Sequence, residues 1–332
     1  MSGKRFMSVA VIFCLILTCC LAGCAKKEIE GDNTLQSWLD EHDSETSRVL
    51  DYDQHVTIGH RHYSKGSYEK AFLHFSKALA LKPEDTNLRL LRGDILVRRG
   101  LMEKALNEYM GIHKDFPDNR QASLGVGKVY FAAGMYKDAK KYLSLASNGT
   151  CEFSQADNLL GVIANWEGRP LNAKISLLRA HTCNPDNGEI LNNLGMSYLF
   201  LHEYEFAIVF FRKAIRKGCT PPKTFNNLGI ALVKCEKYGE AFEAFRSAGD
   251  EAQAYNNMGY VLYLEGELKK AVECFETAIR IHPTYYQVAA GNLKRARTAM
   301  QGSELGGEVL SILDTQSDVE DADETAEKPV EH

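Results

Sequence analysis

The chain has 332 residues, 45% hydrophobic and 25% charged, with 10% aromatics, 26 glycines and eight prolines. That composition excludes a disordered chain and a collagen-like one, and a formal net charge of −5 argues against a nucleic-acid binder, which is normally basic. The charge is uneven: from Gln301 onward there are ten acids and one base, Lys328, so the tail carries −9 and everything before it +4.

In chain order, the first element is an address. Lys4 and Arg5 precede an uncharged, strongly apolar run from Phe6 to Ala25, which reads as a secretory signal or a single membrane anchor. The run ends in Leu21-Ala22-Gly23-Cys24, which resembles the bacterial lipobox. The resemblance implies a signal peptide over 1–23, cleaved before Cys24, with a diacylglycerol and an N-acyl chain on that cysteine as the only covalent additions and no cofactor. Several acyl chains anchor a protein stably where one is marginal. Ala25 follows the lipidated cysteine where Asp would favour retention. By resemblance to the enteric sorting rule, this implies the periplasmic face of the outer membrane, with the inner membrane as the alternative. Residues 24–51 form a polar tether with one amphipathic patch, Leu35, Trp38 and Leu39, at helical spacing. That patch is either a short helix resting on the first repeat or a docking peptide for a membrane partner.

Of nine cysteines, Cys14, Cys19 and Cys20 leave with the signal and Cys24 carries lipid. Cys151, Cys183, Cys219, Cys235 and Cys274 remain, an odd number, so an oxidising compartment leaves at least one free thiol. None has metal-ligand spacing. Cys151 and Cys183 fall near inter-unit turns with a two-residue offset, which makes them the candidate disulfide pair.

The body has a period. Gly59, Gly93, Gly127, Gly161, Gly195, Gly229 and Gly259 follow one another at five steps of 34 and one of 30. Twelve residues after each comes an alanine, from Ala71 to Ala271, and four further on a large residue such as Phe75, Tyr109 or Phe211. Prolines close four of the units, at Pro83, Pro117, Pro185 and Pro283. This period and pattern resemble the tetratricopeptide repeat. The fold that follows is all-α: a right-handed α-solenoid of about seven helix–turn–helix units over 52–85, 86–119, 120–153, 154–187, 188–221, 222–251 and 252–283. The marker glycines and alanines are expected where backbones approach, and the large residues in the space toward the next unit. A capping helix over 284–300 should turn Tyr286, Ala289, Ala290 and Leu293 to the array and Lys294, Arg295 and Arg297 to water. The sixth unit is four residues short, which predicts a second helix cut by about one turn. The tail, 301–332, is expected to be disordered.

No Walker loop, GxSxG, HExxH or dinucleotide fingerprint occurs, so the reading is not an enzyme, with no catalytic residue and no metal site. His55, His60, His62 and His74 cluster in the first unit, with His55 and His62 at packing positions on its first helix and His74 on its second. What remains is a concave surface lined by the first helix of each unit. Asparagine pairs recur there, Asn192-Asn193, Asn226-Asn227 and Asn256-Asn257, with Asn158 alone in the fourth unit. Amides both donate and accept, so such a row can grip an extended peptide backbone. The first of each pair is expected to point into the groove and the second to bond within the repeat. Trp166, Met196, Phe200, Tyr260 and Tyr263 would supply side-chain pockets. Residues 51–300 hold 33 bases and 27 acids, a net of +6, so the acidic tail is either a solubilising extension or an electrostatic lid on a basic array.

The segment AYNNMGYVLYLEGELKKAVECFETAIRIHPTYYQVAAGNLKRA, following the short unit's GDEAQ, resembles the TadD-type lipoproteins of tight-adherence (Flp) pilus systems. That resemblance implies a membrane-anchored scaffold for protein or peptide partners, secretin or pilus assembly proteins among them, and no nucleic acid. Other readings are a secretin-assisting pilotin, an adaptor presenting proteases or murein hydrolases to substrates, and a structural homodimer.

Overall fold

The computed structural model describes residues 50–281 and 287–302. The signal, Cys24, the Leu35–Trp38–Leu39 patch, Tyr286 and the acidic tail lie outside the described residues. Every regular element among the described residues is helical. The chain falls into two compact units that divide between Leu201 and His202.

The N-terminal unit holds α1 (Tyr52–Ser64), α2 (Tyr68–Leu81), α3 (Thr86–Arg98), α4 (Met102–Asp115), α5 (Arg120–Ala132) and α6 (Tyr136–Ala146). A 3-10 turn, Cys151–Phe153, then leads into α7 (Ser154–Trp166), α8 (Pro170–Cys183) and α9 (Gly188–Phe200). The C-terminal unit holds α10 (Tyr204–Arg216), α11 (Pro222–Lys234), α12 (Tyr238–Ala248), α13 (Glu251–Leu264), α14 (Leu268–Ile281) and α15 over 287–302. In both units, odd-numbered helices up to α13 carry the marker glycine, and their even-numbered partners carry the alanine. No helix among the described residues is long and apolar enough to cross a membrane.

Local chemistry starts most glycine-bearing helices. Asp51 caps α1 and Asp250 caps α13, each in a reciprocal capping box with a glutamine, Gln54 and Gln253. Asp85, Asn119 and Asn187 cap α3, α5 and α9 through side-chain oxygens that accept backbone N–H bonds. These contacts satisfy donors that a helix start otherwise leaves orphaned. Between the helices of each pair the chain turns through a left-handed residue seven positions after the marker glycine. That residue is Gly66, Gly100, Gly134, Gly168 or Gly266, but His202 and Glu236 occupy it in the fifth and sixth repeats.

Packing follows the sequence expectation and adds a contact to it. The seven alanines, from Ala71 to Ala271, are fully buried, as close helix approach requires. The large residue faces the next repeat, where Tyr109 meets Gly125 and Phe75 clusters with Leu88 and Ile95, and it also sits on the glycine of its own repeat. A Cβ added at Gly59 would lie 2.5 Å from Phe75 Cε1, at Gly127 2.7 Å from Leu143 Cγ, and at Gly229 2.6 Å from Phe245 Cε1. The glycine therefore makes room for its own repeat's ring or leucine, and the neighbours close over it. In α15, Ala289 and Ala296 are fully buried while Lys294, Arg295 and Arg297 are exposed.

Two helices are short. α12 has 11 residues where α14 has 14, as the four-residue deletion predicts. α6 also has 11, although its repeat keeps full length. There the chain leaves the helix through Asn148-Gly149, with Gly149 at φ 79, and re-enters at Cys151. Cys151 is bridged to Cys183 at the end of α8, with Cα atoms 5.0 Å apart.

Candidate functional site

The glycine-bearing helices present their asparagines one turn before the glycine, and the structure links them into a row. In the N-terminal unit, Asn193 Nδ2 on α9 donates to Asn158 Oδ1 on α7 at 3.1 Å, and Asn192 Nδ2 donates to Asn193 Oδ1 at 3.4 Å. In the C-terminal unit, Asn257 Nδ2 on α13 donates to Asn226 Oδ1 on α11 at 3.3 Å. Asn292 Nδ2 on α15 donates to Asn256 Oδ1 at 3.0 Å, and Asn256 Nδ2 donates to Asn257 Oδ1 at 3.4 Å. The asparagine two before the glycine thus reaches back to the one three before the glycine in the preceding repeat. The row is in part an inter-repeat staple.

This rearranges the expected roles. Asn158, Asn192 and Asn256 are buried, at 7%, 4% and 5% exposure, and so is Asn227, at 3%. Asn193, Asn226 and Asn257 are half-buried. The second member of two pairs, not the first, therefore meets solvent; only at 226–227 does the first. Each half-buried amide keeps a second N–H or lone pair beyond the bonds named above. The Oδ1 atoms of Asn192 and Asn227 are buried without a hydrogen-bond partner.

Aromatic and apolar groups accompany the amides. Trp166 is 39% exposed at the end of α7, its ring 4.6 Å from that of Tyr136. Met196 and Phe200 on α9 are half-buried. On α13 the rings of Tyr260 and Tyr263 lie 6.4 Å apart, and burial pushes the Tyr260 phenol up.

Sequence reasoning missed two buried polar sites. Asn165 and Ser197 exchange hydrogen bonds between α7 and α9 at 2.9 and 3.1 Å. Asp157, at 2% exposure, accepts from Ser147 at 2.8 Å and from Arg179 at 2.7 Å. Their partners lie ten to 32 residues away, and no spacing rule links them. His55 Nδ1 and His74 Nδ1 are 3.1 Å apart, and His62 stacks on His74. Burial first, then His55 and His62 and the nearby Lys77 and Arg61, lower His74 to about 4. No group of three or more histidine, cysteine, aspartate or glutamate side chains among the described residues is arranged to hold a metal. Cys219 and Cys235 are free and half-buried, and Cys274 is buried with its thiol pushed up to about 11.

Three segments of the chain, 56–110, 188–216 and 252–285, match family models described as tetratricopeptide repeat. The chain carries tetratricopeptide repeats. Among curated proteins, it is 26% identical to BBSome complex member BBS4 of Bos taurus over 227 residues, 67% of this chain and 44% of that one. It is 22% identical to anaphase-promoting complex subunit 6 of Arabidopsis thaliana over 234 residues, 67% of this chain and 43% of that one. The chain spans less than half the length of these curated relatives. Among solved structures, the APC/C hetero-tetramer Cut9–Hcn1 aligns with a TM-score of 0.50 at 17% identity, over 79% of this chain and 51% of that one. A tetratricopeptide repeat protein from Parabacteroides merdae aligns at 0.49 and 16% identity, over 74% and 98%. Together with the helix pairs and their glycine–alanine register, the fold is a tetratricopeptide-repeat α-solenoid.

Proposed function

We propose that the protein is a lipid-anchored periplasmic scaffold that holds extended segments of partner proteins and assists assembly of an envelope complex, a Flp or type IV pilus or its secretin. The observation that carries the binding role is a half-buried amide on a helix that also bears apolar or aromatic groups: Asn193 with Met196 and Phe200 on α9, and Asn257 with Tyr260 and Tyr263 on α13. Spare donors and acceptors grip a peptide backbone without regard to its sequence, and flanking aromatics take its side chains. BBSome complex member BBS4 and anaphase-promoting complex subunit 6 are both members of multi-protein complexes, which supports a scaffold reading. The Cys151–Cys183 bridge supports an oxidising compartment. Leu21-Ala22-Gly23-Cys24 supports the anchor, and the TadD resemblance of the last repeat supports the pilus.

The test is a pull-down from membrane extracts with the full-length protein and a Trp166→Ala, Tyr263→Ala variant whose thermal unfolding matches wild type. Prepilin or secretin lost from the variant's partners is the expected outcome. Identical partner lists would sink the groove, and proteases or murein hydrolases among the partners would replace the pilus by an adaptor role. Palmitate labelling that survives Cys24→Ala would remove the anchor.

A further inference from the structure

A second surface lies in the C-terminal unit, on a different stripe of α11 from the one that bears Asn226. A cleft of about 420 Å³ opens between α10, α11 and α12. Its floor is apolar, from Ile215, Phe225, Leu228 and Leu232, and its rim carries Arg212 and Arg216 on one side and Glu240 and Glu243 on the other. The cleft lies at the shortened helix: α12 stops at Ala248, and Ser247 in its last turn edges the opening. A full-length second helix would continue past this point, beside the last turn of α10.

The rim is not neutral in effect. Glu240 pairs with Arg212 and Glu243 with Arg246, whereas Arg216 makes no ion pair among the described residues. Lys213 and Lys217 stand exposed beside it. The complementary ligand is a short apolar run followed by carboxylates.

The chain itself contains one. Beyond α15, residues 303–314 read SELGGEVLSILD: a Gly306-Gly307 pair, then Val309, Leu310, Ile312 and Leu313, flanked by Glu308 and Asp314. Acids continue at Asp318, Glu320, Asp321, Asp323 and Glu324. The helix from which this segment departs is fastened to the last repeat, through Asn292 to Asn256 at 3.0 Å and Arg297 to Glu276 at 2.6 Å. The cleft lies in the same compact unit, between the fifth and sixth repeats, and α12 packs directly against α13. Seven residues from 302 to Val309 span up to about 23 Å, and eleven to Leu313 up to about 36 Å, at roughly 3.3 Å each. The tether keeps the run in the vicinity of its own unit, where a separate protein would have to arrive by diffusion.

We propose that residues 308–314 of this chain dock in the α10–α11–α12 cleft, with Val309, Leu310, Ile312 and Leu313 on its floor and Asp314 beside Arg216. Docking covers apolar surface on both partners and brings the acids after Asp314 alongside the basic end of α10.

A photo-crosslinking residue in place of Leu310 in the full-length protein tests this. Mass spectrometry should find crosslinks within one chain, to peptides containing residues 212–216, 225–232 or 244–247. Val309→Asp with Ile312→Asp, both outside the repeats, should abolish them. Arg216→Glu should lower their yield about fivefold and Asp314→Arg should restore it, the size of coupling seen between contacting charges. Crosslinks that join two chains, that fall on other helices, or that are unchanged by Arg216→Glu would overturn the proposal.

Discussion

A tetratricopeptide repeat is, residue by residue, a register of permitted sizes. Phe245 occupies the volume a Cβ on Gly229 would need, with Cε1, Cζ and Cδ1 all within 2.8 Å of that point. Gly229→Ala therefore overpacks the sixth repeat and should cost about 1–3 kcal/mol in urea unfolding. Adding Phe245→Leu should return part of that loss, because the obstruction is a ring and not backbone. The same repeat also offers a gain. Glu236 holds φ 59 where five repeats place glycine, and a side chain in the left-handed region costs about 1–2 kcal/mol. Glu236→Gly should raise the urea midpoint by about 1 kcal/mol equivalent, net of glycine's greater unfolded-state entropy. Both constraints are local and repeat every 34 residues, so the sequence displays them. The amide row is different. Which asparagine meets solvent depends on bonds to partners 31 to 36 residues away and on the rotation of each helix, and that is why the expected order within the pairs was reversed at 192–193 and 256–257.

Among whole elements, the first and fourth helix pairs carry the distinctive chemistry. α1 and α2 are joined by three histidines that burial keeps neutral: His55, His62 and His74 all lie below the ordinary value of 6.5, His74 at about 4. Lys77, Lys70, Arg61 and Lys65 face the cluster and push in the same direction, opposed by Asp51 on His55. The folded state binds fewer protons than the unfolded one between about 6.5 and 4. Stability is therefore fully present above 6.5 and falls as pH drops through that window. His74→Gln should flatten the decline, as read by the thermal midpoint at pH 7 and pH 4.5. In the fourth pair, the Cys151–Cys183 bridge closes 32 residues around α7 and α8. Chain-entropy arithmetic puts its contribution at about 3–4 kcal/mol, so reductant should lower the thermal midpoint of wild type but not of Cys151→Ser with Cys183→Ser. The short α12 was readable as a deletion. The short α6 was not, because its repeat keeps full length and the bridge takes up the slack.

Over the whole molecule, one sequence joins a basic array to an acidic end. Residues 51–300 carry +6 and residues from 301 onward −9, and no 34-residue period extends into the latter. A partner with an acidic surface then competes with the chain's own carboxylates for the same cations. Deleting 303–332 should tighten such a partner about tenfold at low ionic strength, mainly through association rate. The advantage should vanish near 0.5 M salt, where the Debye length falls to about 4 Å and only contacting charges still interact. Val309→Asp with Ile312→Asp separates two routes to this effect. If the apolar run seats the acids, the substitution reproduces much of the deletion even though it adds negative charge. If the acids act only as a diffuse cloud, the added charge weakens the partner slightly instead. Equal affinity of full-length and deleted protein at low salt would leave the tail without a role in binding.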